Sequence, residues 1–164
     1  MIPSPPIPAR LDPSSIALLQ GPVAVLVAGR DPDHVPTLVR ASGIRVAPDG
    51  ARVTVYVAAS RAAALLDDVR TTGAVAMVVN RPRTHQSIQL KGTDAVAGPL
   101  GPDDPPHVAA YLRAWVGELA GMGYGEDFAE ALVGAAPDDL AAVRFTPSLA
   151  FSQSPGPDAG RPLA

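Results

Sequence analysis

Along the first hundred positions apolar residues alternate with polar or smaller ones, and this alternation predicts strands. The clearest run is Val53, Val55 and Val57 interleaved with Thr54, Tyr56 and Ala58. A period of two gives such a strand two distinct faces, one of them for the core. Pro22 to Ala28, Val35 to Arg40 and Gly43 to Ala47 read as earlier strands, with Asp31-Pro32-Asp33-His34 turning between the first two and Pro48-Asp49-Gly50 as a hairpin turn. Ala74 to Val79 and Ser87 to Ala97 follow, with Arg81-Pro82-Arg83 in the loop between them and Gly98-Pro99 as the stop.

Helical spacing interrupts this pattern. Asp12-Pro13-Ser14-Ser15 ahead of Ile16, Leu18 and Leu19 predicts a short capped helix ended by Gly21-Pro22. From Arg61 to Arg70, Ala64, Leu65, Leu66 and Val69 recur on one side, which places Asp67 and Asp68 outside and makes the segment a crossover helix opened by Ser60. Pro105-Pro106 opens a helix from His107 to Leu119, closed by Gly121 and Gly123, with Leu112, Trp115, Val116 and Leu119 as its buried face. A helix over Glu126 to Val133, a turn over Asp138 to Leu140 and a last strand over Ala142 to Thr146 complete the order.

Short strands at this spacing predict a small β-barrel with flanking helices, an α+β fold. The expected organisation is a Pro-rich N-terminal arm over 1–11, one domain over 12–153, and a Pro/Gly-rich tail over 154–164. The length of 164 residues, 47% of them apolar, suits one domain with a proper core.

Composition removes several functions. The absence of cysteine excludes disulfides, thiolate metal sites and a cysteine nucleophile. Without an apolar run long enough for a signal peptide or a membrane span, the expectation is a cytoplasmic protein with no membrane contact. Aromatic residues make up 4% and the net charge is −3, which argues against nucleic acid. His34, His85 and His107 are far apart and lack companion carboxylates at ligand spacing, so no metal is expected. No Gly-x-Ser-x-Gly elbow marks a serine hydrolase.

The charge is unevenly spread. From Arg30 to Gly92 nine Arg and Lys face five Asp, a net of +4, against −7 for the remainder. This is either the polar face of the strands or a site for an anion such as a phosphate. Ser60-Arg61 at a helix start is one candidate: free N–H groups and the helix dipole attract an anion, and Arg adds a bidentate fork. The alternative is a plain N-cap followed by a solvated arginine. Lys91 is the only lysine beside twelve arginines, which points to a need for a compact ammonium, although one lysine also arises by chance. Gln86, Ser87 and Gln89 offer the donors and acceptors that read a heterocycle's edge, or form the polar face of a strand. His85 is a titratable loop residue whose ordinary fate is solvent exposure.

The order of elements and several strings resemble the FMN-binding split-barrel, or pyridoxamine 5'-phosphate oxidase-like, family over nearly all of 16–160. The strings are Val35-Pro36 ahead of a strand carrying Arg40, Asp49-Gly50 with a valine strand leading to Ser60-Arg61, Gly73-Ala74-Val75-Ala76, Thr84-His85-Gln86-Ser87-Ile88-Gln89-Leu90-Lys91-Gly92, and Phe151-Ser152-Gln153-Ser154-Pro155-Gly156-Pro157. The last two are similar to an oxidase-related subfamily of unassigned substrate. The resemblance implies a predominantly antiparallel split barrel, a homodimer, and FMN bound between subunits by Arg40, Ser60, Arg61, His85, Gln86, Ser87, Gln89 and Lys91, with an oxidoreductase acting on a small molecule. Ala62 stands where the oxidase carries a lysine that binds the FMN phosphate, and His85, Gln86 and Ser87 lie about one position off its Arg-Gln pair; together these departures bear on its substrate more than on its cofactor. The alternatives are a deazaflavin-dependent reductase and a non-catalytic flavin- or haem-binding protein.

Overall fold

The computed structural model describes residue 9 and residues 11–163, so the expected arm over 1–11 lies largely outside the described residues. The first helix, α1 (Pro13–Leu19), starts as its sequence dictates: the Asp12 carboxylate accepts from the Ser15 N–H at 2.6 Å, and Pro13 sits where no amide is needed. Then come β1 (Ala24–Arg30), β2 (Pro36–Arg40), β3 (Gly43–Val46) and β4 (Val53–Ala58). The crossover helix α2 (Ala63–Thr72) leads to β5 (Val75–Asn80), β6 (Ser87–Gly92) and β7 (Val96–Gly98). Helices α3 (Asp104–Ala120) and α4 (Glu126–Val133), a 3₁₀ turn over Pro137–Asp139, β8 (Leu140–Phe145) and β9 (Leu149–Ser152) complete the chain.

The strands form a five-stranded sheet, β2-β1-β5-β6-β9, and a four-stranded sheet, β3-β4-β8-β7. Every pairing is antiparallel. The fold is thus the expected α+β split barrel, two facing sheets with helices about them; no ladder joins the sheets into one closed barrel among the described residues. Val25, Val27, Val53, Val55, Leu65, Val79, Leu90 and Phe145 are fully buried between the layers. Burial of such side chains, at about 1.5–3 kcal/mol each, is the main force holding the sheets together.

Helix α2 carries the chain from the small sheet to the large one. It ends at Gly73, whose φ of +66° closes the helix and whose N–H donates to the Val69 carbonyl. A Cβ there would stand 2.8 Å from the Thr93 carbonyl oxygen, so the position requires glycine on two counts.

Five expectations are corrected. Helix α2 begins at Ala63, because the Ser60 N–H and hydroxyl both bond the Asp139 carboxylate and hold the preceding turn out of the helix. Asp68 is buried against β2, where it accepts from the Thr37 hydroxyl at 2.7 Å, so only Asp67 of the pair faces out. The run Ser87 to Ala97 is two strands in different sheets, since a Cβ at Gly92 would meet Phe145 at 2.7 Å and the chain bends there beneath β8. Strand β4 is buried on both faces, because α3 covers Tyr56. Strand β9 has no counterpart in the alternation pattern.

After β9 the chain turns back on itself: the Ser152 N–H donates to the Arg161 carbonyl and the Leu163 N–H to that of Ala150. The 154–163 segment therefore lies along the sheet edge and occupies its free hydrogen-bonding groups. No helix among the described residues is long and apolar enough to cross a membrane.

Candidate functional site

In β1, Val25, Val27 and Gly29 point into the core, while Ala24, Leu26, Ala28 and Arg30 face outward. Strand β5 repeats this, with Ala76, Val78 and Asn80 outward. Register then aligns side chains across the outer face of the large sheet. One row runs Arg40, Leu26, Val78, Gln89, Phe151; the next runs Leu38, Ala28, Ala76, Lys91, Leu149. Arg40 and Gln89 are three strand spacings apart, about 14 Å.

This face is apolar across β1 and β5, carries Gln89 and Lys91 on β6, and has Leu38 and Arg40 on the β2 edge and Leu149 and Phe151 on the β9 edge. Leu38 is 64% exposed and Leu149 51%, unusual values for leucines, and the two stand at opposite edges of the sheet, on β2 and β9. Its charges are Arg30, Arg40 and Lys91, and none of the three forms an ion pair with another described residue. The rows contain no acidic residue. The Lys91 ammonium lies 5.6 Å from the centre of the Phe151 ring, within cation–π range.

At the β2 edge, Arg40 and Arg61 line one groove of about 370 Å³ with Leu38, Val39, Ala131 and Leu132. The Arg61 Nη2 donates to the Gly134 carbonyl at 2.8 Å, which leaves most of its donors uncommitted. Ser60 is otherwise disposed. Its hydroxyl and its N–H donate to Asp139 at 2.6 and 2.8 Å, and these bonds, with the nearby Arg61 charge, hold that carboxyl below its ordinary range. An acid of the protein's own thus occupies the place given to a phosphate at Ser60.

The remaining candidates scatter. Ser87 is buried, with its hydroxyl donating to the Val79 carbonyl at 2.7 Å and its N–H to Ser154, so its donors are spent internally. His85 and Gln86 are exposed in the loop between β5 and β6, where His85 takes a φ of +59° and Gln86 accepts from the Thr84 hydroxyl. The structure therefore brings together Arg40, Gln89 and Lys91 on one face with Arg61 in the adjoining groove, while Ser60 beside Arg61 is committed to Asp139, Ser87 is committed to Val79, and His85 and Gln86 lie in the exposed β5–β6 loop.

Sequence reasoning did not offer Arg30, Leu26, Val78 or Phe151 as site residues, although Arg30 fell in its basic segment and Phe151 in one of its family strings. A signal for the apolar members was present: Ala24 to Ala28 and Val75 to Val79 carry no polar residue on either face, the mark of strands that something covers on both sides.

Comparison with protein-family models and with curated proteins finds no match. Solved structures do match in fold. HupZ of Group A Streptococcus superposes over 92% of this chain and 99% of its own, with a TM-score of 0.56 at 15% identity. A Lactobacillus delbrueckii protein, named by assignment a pyridoxamine 5'-phosphate oxidase, superposes over 87% and 93%, with a TM-score of 0.51 at 14% identity. The likeness is one of architecture, and it defines the class: an α+β protein built from two antiparallel sheets as in these split-barrel structures.

Proposed function

We propose that the chain is a flavin-binding protein of the pyridoxamine 5'-phosphate oxidase-like superfamily, holding FMN against the outer face of its large sheet and sharing it with a second copy. The observation that carries this reading is the alignment of Arg40, Leu26, Val78 and Gln89 in one registered row beside the Arg40–Arg61 groove. The donor set suits the cofactor. Leu26 and Val78 offer a flat apolar bed for a tricyclic ring, the Gln89 amide both donates and accepts at its edge, and two guanidinium groups neutralise a phosphate. Ser60 is left out of the proposed ligands because Asp139 fills its donors.

When bound, a flavin supplies hydride and electron transfer. The chain's own residues bind and orient it: Arg40 and Arg61 fix the phosphate end, Gln89 the ring edge, and the exposed leucines Leu38 and Leu149 shed water once a second copy covers them. Support also comes from the name carried by the Lactobacillus delbrueckii structure.

The test is an absorption spectrum of the purified protein, followed by titration with FMN, riboflavin and a deazaflavin. A flavin spectrum, or FMN binding tighter than riboflavin, is expected. Preference for the deazaflavin would replace the cofactor and keep the face; failure of all three to bind would overturn the reading.

A further inference from the structure

Beyond the Arg40–Arg61 groove, the same sheet face holds a second pocket, of about 400 Å³. It opens at the far end of β1, β5 and β6. Arg30 and Lys91 line it as its charged residues, Thr93 and Ser148 add hydroxyls, and Ala28, Ala76 and Leu149 are among its apolar walls.

The electrostatics are one-sided. Among the described residues Arg45, Arg52, Arg70, Arg81, Arg144 and Arg161 each have a carboxylate partner; Arg30 and Lys91, like Arg40, Arg61, Arg83 and Arg113, have none, and these two share one pocket. The nearby acids are engaged elsewhere: Asp31 accepts from the Val35 N–H, and Asp94 holds the Thr146 N–H and Arg52. Arg30 spends one donor on the Asp31 carbonyl at 3.2 Å, and the remaining donors of its fork are uncommitted. Two cations on an apolar concavity, with no acid of the protein's own to satisfy them, form a site for an anion that also has an apolar body.

We propose that this pocket binds an organic anion, a carboxylate or phosphate on an apolar skeleton, with Arg30 and Lys91 as its two charged arms. Lys91 stands in the row next to that of Gln89, so the anion lies beside the ring bed. The role of this anion as the flavin's reaction partner rests on the proposed function, but its binding does not.

The experiment titrates flavin-free full-length protein with benzoate, with phenyl phosphate and with neutral methyl benzoate, followed by calorimetry or amide chemical shifts. Saturable binding of at least one of the two anions, and weaker binding of the ester, is expected. Lys91→Gln and Arg30→Gln should each weaken anion binding about ten- to a hundredfold, the loss of one charge-assisted contact. Both residues are at the surface, so circular dichroism should be unchanged. Equal binding of ester and anions, no binding of either anion, or undiminished affinity in both variants would overturn the site. The two proposals separate cleanly: anion binding without FMN binding keeps the pocket and removes the flavin, and FMN binding without anion binding does the reverse.

Discussion

The Tyr56 hydroxyl donates a 2.7 Å hydrogen bond to Asp104 Oδ1, tying the middle of the small sheet to the first turn of α3. The same carboxylate accepts from Arg144 at 2.6 Å and from the Gly101 N–H at 2.7 Å, with Arg45 at 3.4 Å. Asp104→Ala should strand these donors. Removing one partner of a buried ion pair costs about 3–5 kcal/mol, and the low end applies because Arg45 and Arg144 are each about a third exposed. Tyr56→Phe removes one neutral donor and should cost about 1–3 kcal/mol. Urea midpoints of the two variants, compared with that of the parent chain, measure both.

Acid should weaken the same junction. Burial raises the Asp104 pKa, but the Gly101 amide, the Tyr56 hydroxyl and Arg144 together outweigh it and hold the carboxyl below its ordinary 3.8. A folded pKa below the unfolded one means that the stabilisation is complete above 3.8 and disappears as the pH falls through the lower value. The difference in urea midpoint between the parent chain and Asp104→Asn should therefore be large at about pH 6 and shrink towards about pH 2. A difference independent of pH would show that Asp104 acts through packing alone.

Arg61→Ala tests the phosphate end of the proposed flavin site. The side chain is exposed and makes one bond, to the Gly134 carbonyl, so stability should change by no more than about 0.5 kcal/mol. FMN affinity should fall about ten- to a hundredfold while riboflavin, which lacks the phosphate, barely responds. Equal losses for the two ligands would move the phosphate to Arg40 alone or away from this groove.

Assembly through the outer sheet face is expected to give a dimer at micromolar concentration. Leu38→Asp places an acid on the exposed β2 edge of that face without touching the core, so light scattering should show a monomer with unchanged circular dichroism. A parent chain that is monomeric with flavin bound would remove the shared site.

The fold was legible where local chemistry acts alone. Asp12 and Pro13 start α1, Pro105 and Pro106 lie in the first turn of α3, and Gly50 turns the β3–β4 hairpin with a φ of +72°. What escaped depends on partners distant in sequence. Ser60 looks like a helix cap until Asp139, some eighty positions on, takes both its donors. Asp68 looks like a surface residue until Thr37 binds it, and Gly92 looks like mid-strand until Phe145 crosses above it. The site was half legible for the same reason. Gln89 and Lys91 were singled out by residue type and Arg40 by the family resemblance, but only register puts them on one face, and the same register shows Ser87 turned to internal use.

Lys91 is the chain's only lysine, so apart from the N-terminus the protein presents one primary amine. Dyes, biotin tags and sensor surfaces coupled by amine chemistry therefore have two places to attach, the α-amino group and Lys91, and those on Lys91 sit on the face on which the proposed ligands and second copy converge. Molecules coupled at Lys91 should read as monomeric and ligand-free whatever the unlabelled protein does, whereas coupling through an introduced cysteine on the far side of the molecule leaves that face open.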